Sequence, residues 1–136
     1  MSERSLALIK PDAVEKNLIG EVISRYEKNG LKVTALKMLK VSEEFAGIHY
    51  SHLQGKVFYQ ELIDFITRSP LCAVVLQGEN VVEKVREING ATDPKEAAPG
   101  TIRNQYGTDK TENCVHASDS AERAKIEIAL WFPELL

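Results

Sequence analysis

The sequence has few of the features that disulfide-rich, membrane-spanning or nucleic-acid-binding proteins need. Only two of its 136 residues are cysteines, and they do not form a C-x-x-C pair. We therefore expect two reduced, buried thiols and neither a disulfide nor a metal site. No apolar run approaches the roughly 20 residues that span a bilayer. The 17 basic and 20 acidic residues give a net charge of −3, with both signs mixed along the chain, which argues against general binding to nucleic acids or membrane surfaces.

The common nucleotide-binding signatures are also absent. The chain contains neither G-x-x-x-x-G-K-S/T nor G-x-G-x-x-G, so P-loop and Rossmann folds are unsupported. The first residues lack the charged-then-apolar order of a secretory signal peptide. A hydrophobic content of 43% with 27% charged residues is that of an ordinary globular protein. We therefore expect a cytoplasmic protein with a single domain over residues 1–136.

The order of apolar patterns predicts the fold class. Strand-like runs at residues 5–10, 31–41, 71–76 and 114–115 alternate with helix-like stretches, whose starts are expected at Asp12, Ser42, Asn80 and Asp119. This βαββαβ order is typical of an α+β, ferredoxin-like sandwich, an antiparallel four-stranded sheet with helices covering one face. Residues 91–112 lack regular patterning, and a long irregular loop in a small domain is more often functional than idle.

One of the three histidines has a position suited to phosphate chemistry. His116 falls at the end of the last short strand, directly before a helix start, where unpaired N–H groups and the helix dipole favour a phosphate. A neutral imidazole is a competent nucleophile. The alternative is a histidine whose hydrogen bonds are simply satisfied at a strand end, and the residue by itself leaves both open. His49 and His52 lie in a helical segment and are expected at the surface or at an interface.

The last helix places a carboxylate near this histidine. Glu127 lies on the same helical stripe as Ser120 and Arg123, beside the apolar stripe. It could orient the histidine or a serine that supports it. It could equally form an exposed ion pair with Arg123, and the spacing does not decide between the two.

Three basic residues are candidates for stabilising transferred phosphate. Lys10 ends the first strand, Arg86 lies in the helix before the irregular loop, and Arg103 lies within that loop. Phosphoryl transfer depends on positioning and on cations around the phosphate oxygens, and guanidinium groups bind those oxygens bidentately. Each residue taken singly could be a solvated surface charge, so the combination carries the prediction.

At this point the sequence resembles a known family. The segment Asn113-Cys-Val-His116-Ala-Ser-Asp119 is similar to the N-x-x-H-G/A-S-D active-site signature of the nucleoside diphosphate kinases. The likeness extends over essentially the whole chain, through segments that stand in the family's order: Lys10-Pro-Asp12, His49-Tyr50, Asn80-Val-Val82, Gly90-Ala-Thr-Asp-Pro94, Pro99-Gly-Thr-Ile-Arg103 and Glu127 with Trp131-Phe132.

The resemblance implies an enzyme that moves the γ-phosphate of ATP or another nucleoside triphosphate to a nucleoside diphosphate by a ping-pong mechanism. His116 would be the phosphorylated nucleophile, supported by Ser118 and Glu127. The bound nucleotide would carry Mg²⁺ on its phosphates, and the protein would be a homo-oligomer, a hexamer or tetramer. The residues implied to hold the nucleotide's phosphates and sugar are Lys10, Tyr50, Arg86, Thr92, Arg103 and Asn113. Phe58 would stack on the base and Leu62 would line the base site.

Several positions depart from the family pattern without removing a chemical group that the mechanism needs. Val57, Asn104 and Ala117 stand where other residues are usual, which bears on the base contacts and the subunit contacts. Two other functions fit a βαββαβ domain: an RNA-binding module, which the absence of aromatic residues in the strands disfavours, and an inactive relative serving as an interaction scaffold. The presence of His116 with its three cations disfavours the scaffold.

Overall fold

The predicted strands form one antiparallel sheet. In the computed structural model, which describes residues 3–135, four strands lie in the order β2-β3-β1-β4, and every neighbouring pair is antiparallel. This order confirms the predicted α+β, ferredoxin-like fold. The single-domain prediction extends to residues 1, 2 and 136, which lie outside the described residues. The strands are β1 (Glu3–Ile9), β2 (Lys32–Leu39), β3 (Leu71–Gly78) and β4 (Val115–Ala117).

Seven α-helices join the strands in the described part of the chain. They are α1 (Pro11–Glu15), α2 (Ile19–Lys28), α3 (Glu43–His49), α4 (Tyr59–Ile66), α5 (Val81–Asn89), α6 (Ile102–Tyr106) and α7 (Ala121–Trp131). The short helix α6 was not predicted, because its five residues lie between glycines inside the irregular loop. Within residues 3–135 no helix has the length and apolarity to cross a membrane.

Helices cover both faces of the sheet, so the prediction that they cover one face is wrong. Alternate residues of a strand point to opposite faces, and in β1 and β3 both sets are buried. Ala7 and Ile9 pack with apolar residues of α2 and α5, whereas Leu6 and Leu8 pack with those of α3, α4 and α7. The unbroken apolar runs of these strands are typical of a sheet buried on both sides.

Of the four predicted helix caps, one is confirmed, one is displaced by one residue, one lacks its side-chain hydrogen bond and one is wrong. Ser42 caps α3 as predicted, since its Oγ accepts a hydrogen bond from Phe45 N at 3.1 Å. The cap of α7 is Ser120 and not Asp119, because the Ser120 Oγ accepts from Arg123 N at 3.0 Å. Asn80 does precede α5, but its backbone has a φ of +54° and its side chain makes no cap hydrogen bond.

The prediction for Asp12 is wrong in a way that concerns the site. Helix α1 begins at Pro11 with Lys10 as its N-cap residue, so Asp12 lies inside the first turn. Its carboxylate is buried and accepts a hydrogen bond from the backbone N–H of Cys114, across the sheet edge. Cys72 and Cys114 are both buried and unpaired, as expected.

The irregular loop is attached to the body of the domain by side chains. Arg25 of α2 donates to Gly100 O at 2.9 Å and also binds the side chain of Gln105. Asn104, which departs from the family pattern, donates to Ala97 O at 3.2 Å and so joins two turns of the loop. The loop therefore has a defined shape where it borders the cavity described next.

Candidate active site

One large cavity brings together most of the predicted site residues. It has a volume of about 860 Å³, within the usual range for a site that takes a small organic ligand. It lies between the end of α5, the irregular loop and strand β4. The predicted residues that line it are Lys10, Tyr50, Leu62, Arg86, Thr92, Arg103, Asn113 and His116.

His116 lies in the middle of β4 and not at the strand end as predicted. It pairs with Leu8 of β1, which fixes the position of its backbone in the sheet. Its side chain is 25% exposed, and its Nε2 atom lies 2.9 Å from Glu127 Oε1. The imidazole thus borders the cavity on one side and a buried carboxylate on the other.

Glu127 is the buried support of this histidine. Only 3% of the residue is exposed, so the alternative of a solvent-exposed ion pair is wrong. Its Oε1 accepts from Ser118 Oγ at 2.7 Å, and its Oε2 accepts from Arg123 Nη2 at 3.1 Å. Burial raises the pKa of Glu127, but the hydrogen bonds from His116 and Ser118 and the nearby positive charge outweigh it, and the net pKa is about 2. The carboxylate is therefore ionised at neutral pH.

Behind His116 stands a second histidine that sequence reasoning placed wrongly. His49 was expected at the surface or an interface, but only 2% of it is exposed. Its ring lies perpendicular to that of His116, with the centroids 5.0 Å apart, and its Nδ1 accepts from Trp131 Nε1 at 3.1 Å. Burial lowers the pKa of His49 to about 3, so this wall of the site is neutral. Its burial depends on distant residues such as Trp131, so no local signal in the sequence marks it. His52 is exposed.

Lys10 is buried at the base of the cavity. Its Nζ donates to Asn113 Oδ1 at 2.8 Å and to Thr111 O at 3.1 Å. Burial lowers the pKa of Lys10, and the nearby Arg103 lowers it further, to about 8. This lysine is a cation at neutral pH and loses its charge as the pH rises through about 8.

The two arginines differ in how firmly they are held. Arg103 donates to Gly90 O at 2.8 Å, to Val115 O at 2.6 Å and to Asn113 O at 3.4 Å. A guanidinium has five N–H donors, so Arg103 both fixes the cavity walls and keeps donors for a ligand. Arg86 is exposed on α5, and its side chain makes no hydrogen bond with any residue between positions 3 and 135, although its backbone oxygen accepts from Gly90 N at 2.9 Å.

Asn113 organises the loop on the opposite wall. Its Nδ2 donates to Thr92 O at 2.9 Å and to Lys110 O at 3.1 Å, while its Oδ1 accepts from Lys10. Both N–H donors of the amide are therefore used within the protein. The oxygen keeps one lone pair for a further partner.

The remaining predicted residues lie on either side of the main cavity. A second cavity of about 600 Å³ is lined by Phe58 and Glu61 and shares Leu62, Thr92 and Lys110 with the first, so the two are continuous. Phe58 is 42% exposed at its edge, and Val57 is fully exposed beside it. Ser118 and Glu127 lie outside the cavity lining, behind His116.

Comparison with known proteins gives the family. A family model described as nucleoside diphosphate kinase matches residues 3–135. A relative from Clostridium perfringens, named nucleoside diphosphate kinase, is 53% identical over 98% of this chain and 93% of its own. Another of that name, from Pyrococcus furiosus, is 53% identical over 96% of this chain and 83% of its own.

Two solved structures share the whole fold. The nucleoside diphosphate kinase of Aquifex aeolicus superposes with a TM-score of 0.96 at 44% identity, covering 99% of this chain and 98% of that one. A halophilic nucleoside diphosphate kinase from Halobacterium salinarum, solved in complex with CDP, gives a TM-score of 0.94 at 41% identity, covering 97% and 88%. These matches contradict the RNA-binding alternative. The chain belongs to the nucleoside diphosphate kinase family, the nucleotide-binding phosphotransferases whose motifs its sequence carries.

Proposed function

We propose that His116 carries the phosphoryl group during catalysis and that its Nδ1 atom is the nucleophile. The observation that supports this most directly is the 2.9 Å contact between His116 Nε2 and the buried carboxylate of Glu127, beside a cavity lined by cations. An ionised carboxylate only accepts hydrogen bonds, so it favours the tautomer with the proton on Nε2. The lone pair of Nδ1 is then free to attack phosphorus.

The proposed reaction is a ping-pong transfer in two balanced halves. In the first, the Nδ1 lone pair forms a bond to the γ-phosphorus of ATP or another nucleoside triphosphate. The bond from that phosphorus to the bridging oxygen breaks, and a nucleoside diphosphate leaves. In the second, a terminal oxygen of another nucleoside diphosphate attacks the phosphohistidine, and the electrons of the N–P bond return to Nδ1. Glu127 stabilises the positive charge that the imidazole gains while it is phosphorylated.

The cations of the cavity would hold the phosphates during both halves. Lys10, Arg86 and Arg103 line the same space as His116, and cations there stabilise the charge that spreads over the transferred oxygens. Three of the hydroxyl and amide side chains in the lining would bind the phosphates and the sugar; they are Tyr50, Thr92 and Asn113.

The second cavity would take the base. Phe58 offers an exposed aromatic face, and Leu62 connects this cavity to the phosphate site. Every base has a π-face, so stacking on an aromatic ring tolerates different bases. We therefore propose broad use of nucleotides, with Phe58 as the stacking residue.

We propose Mg²⁺ as the cofactor, carried by the phosphates of the nucleotide. Mg²⁺ usually keeps several water ligands and is bound by one or two carboxylates together with substrate phosphates. The lining of the cavity fits such an ion, because its acidic side chains offer oxygen atoms to those waters; they are Glu87, Glu96 and Asp119. When bound, the ion neutralises charge on the phosphates.

The assembly and the cellular location are also proposals. We propose a cytoplasmic homo-oligomer, a hexamer or tetramer, built from a single domain. Leu36 and Met38 on the edge strand β2 are 50% and 54% exposed, and an open strand edge with apolar residues is suited to contact with another chain. Sedimentation equilibrium would give the number of subunits.

Phosphoenzyme labelling tests the role of His116. Incubation with γ-labelled ATP should give an acid-labile, base-stable phosphoprotein from the wild-type chain and from the His52→Ala variant, whose exposed histidine serves as the matched control. The His116→Ala variant should remain unlabelled while its circular dichroism spectrum is unchanged. Undiminished labelling of His116→Ala would contradict the proposal.

A further inference from the structure

The residue two positions before His116 has a strained backbone. Cys114 has a φ of +74°, in the left-handed region that side chains other than glycine rarely adopt. Val115 N donates to Asn113 O at 2.9 Å across it, and this i to i+2 hydrogen bond with a positive φ describes a strained γ-turn. Such a conformation persists only where the surrounding structure holds it in place.

Two residues at the start of α1 hold both backbone groups of Cys114. Lys10 N donates to Cys114 O at 2.8 Å, and Cys114 N donates to Asp12 Oδ2 at 3.0 Å. Arg103 donates to the carbonyl oxygens of Asn113 and Val115, on either side of the turn. The turn is therefore fixed from both sides, and Asp12 is the acceptor for its N–H group.

Asp12 does little else in the part of the structure that is described. Only 1% of it is exposed, and it does not line either cavity. It is not the cap residue of α1, and its Oδ1 atom has no hydrogen-bond partner among residues 3–135. Burial raises the pKa of Asp12, and the nearby charge of Lys10 opposes that rise. A buried carboxylate is costly, so the hydrogen bond that it accepts from Cys114 N points to a role at the turn.

The turn determines where two site residues point. Asn113 immediately precedes Cys114, and His116 follows it by two residues in β4. Because side chains alternate along a strand, a change of φ at Cys114 to an ordinary extended value would rotate Asn113 relative to His116. The contact from Lys10 Nζ to Asn113 Oδ1 and the placement of His116 both depend on the turn.

We propose that Asp12 is a positioning residue for the phosphoryl transfer, because its carboxylate holds Cys114 in the left-handed turn that directs Asn113 and His116 into the cavity. This inference rests on the proposed role of His116. Glycine adopts positive φ without strain. The substitution Cys114→Gly should therefore make Asp12 dispensable for holding the turn.

The experiment measures the single-turnover rate of phosphoenzyme formation with γ-labelled ATP. Asp12→Ala should lower the rate by about ten- to a hundredfold, since a displacement of about 1 Å can cost a hundredfold. Asp12→Asn keeps an oxygen acceptor and should stay within about threefold of the wild-type rate. The double variant Asp12→Ala with Cys114→Gly should regain about tenfold over Asp12→Ala, whereas Asp12→Ala with Cys114→Ala should not.

The alanine and glycine double variants are matched, because both remove the Cys114 thiol and only glycine removes the strain. Thermal unfolding of each variant accompanies the rates. A glycine variant that is faster than its alanine counterpart at a temperature where both are fully folded supports positioning, since a purely structural role would change the rate only through the folded fraction.

Two results would overturn the inference. One is a rate for Asp12→Ala within about threefold of wild type; the other is equal rates for the two double variants. If Asp12→Ala does not fold, the two double variants decide. Folded, active protein from the Cys114→Gly double variant alone supports the inference. Equal rates for the two double variants, or no folded protein from either, overturns it. Absence of label on the wild-type chain would instead contradict the role of His116, so the two failures are distinct.

Discussion

Replacing Glu127 by glutamine removes the charge that orients His116 and keeps the size of the side chain. The carboxylate accepts hydrogen bonds from His116, Ser118 and Arg123. A glutamine amide has one oxygen and one NH₂ group, so it cannot accept from all three. In one orientation of the amide, its NH₂ group faces the Arg123 guanidinium, and two donors oppose each other. In the other orientation, the NH₂ group donates to Nε2 of His116 and favours a proton on Nδ1, which would block the nucleophile.

The size of the effect follows from the electrostatics of the site. The pKa of Glu127 falls from an ordinary value of 4.5 to about 2, and a difference of this size corresponds to about 3 kcal/mol. A single hydrogen bond to a charged group contributes about 1.5–3 kcal/mol. A loss of about 2–3 kcal/mol in the transition state lowers a rate by about 30- to 160-fold. We expect this loss in the rate of phosphoenzyme formation, with the KM for nucleotide nearly unchanged because Glu127 does not line the cavity.

Rapid-quench measurement of phosphoenzyme formation at saturating ATP is the assay. Glu122→Gln is the matched control, because Glu122 lies on the same helix and is exposed. Its rate should equal that of the wild-type chain. A Glu127→Gln rate within about threefold of wild type would refute the reasoning, since the carboxylate would then not be needed to orient the nucleophile.

Three further predictions concern the cations of the site. The pKa of Lys10 is about 8, so its charge is present below that pH and is lost above it. For the wild-type chain, kcat/KM should therefore fall as the pH rises, with a midpoint near pH 8. The Lys10→Arg variant should not show this fall, because a guanidinium stays charged. If kcat/KM of Lys10→Arg falls with the same midpoint, the pH dependence belongs to another group and not to Lys10. Arg103→Ala should lower turnover by about one to three powers of ten and also lower the melting temperature, because three backbone contacts are lost. Arg86→Ala should lower turnover without a change in melting temperature. If Arg86→Ala and Arg103→Ala have equal melting temperatures, Arg103 does not stabilise the fold as described.

Local patterns predicted the elements of this fold well. The four strands, the helices of seven or more residues and the cap at Ser42 follow from the spacing of apolar residues and from turn residues. The family motifs predicted which residues meet at the cavity, although those residues lie far apart in the chain; Lys10 and Asn113, for example, are separated by 103 positions. An ordered set of motifs carries that long-range information, whereas any one residue does not.

The features that could not be predicted depend on contacts between distant parts of the chain. The burial of His49 is set by Trp131, which is 82 positions away, so a local pattern could not distinguish it from the exposed His52. The cap of α7 is Ser120 because the backbone enters the helix one residue later than Asp119 suggested. Likewise the hydrogen bond from Cys114 N to Asp12 spans 102 positions, and nothing in the residues near Asp12 indicates it.

The nitrogen atom that carries the phosphate tests the central claim most directly. The claim is that Glu127 holds the proton on Nε2 of His116, which leaves Nδ1 to accept the phosphoryl group. Phosphorus–nitrogen coupling, measured by NMR on phosphoenzyme with ¹⁵N-labelled histidine, distinguishes the two ring nitrogens. We predict phosphorus bonded to Nδ1 of His116. Phosphorus bonded to Nε2, or to another residue, would contradict the claim.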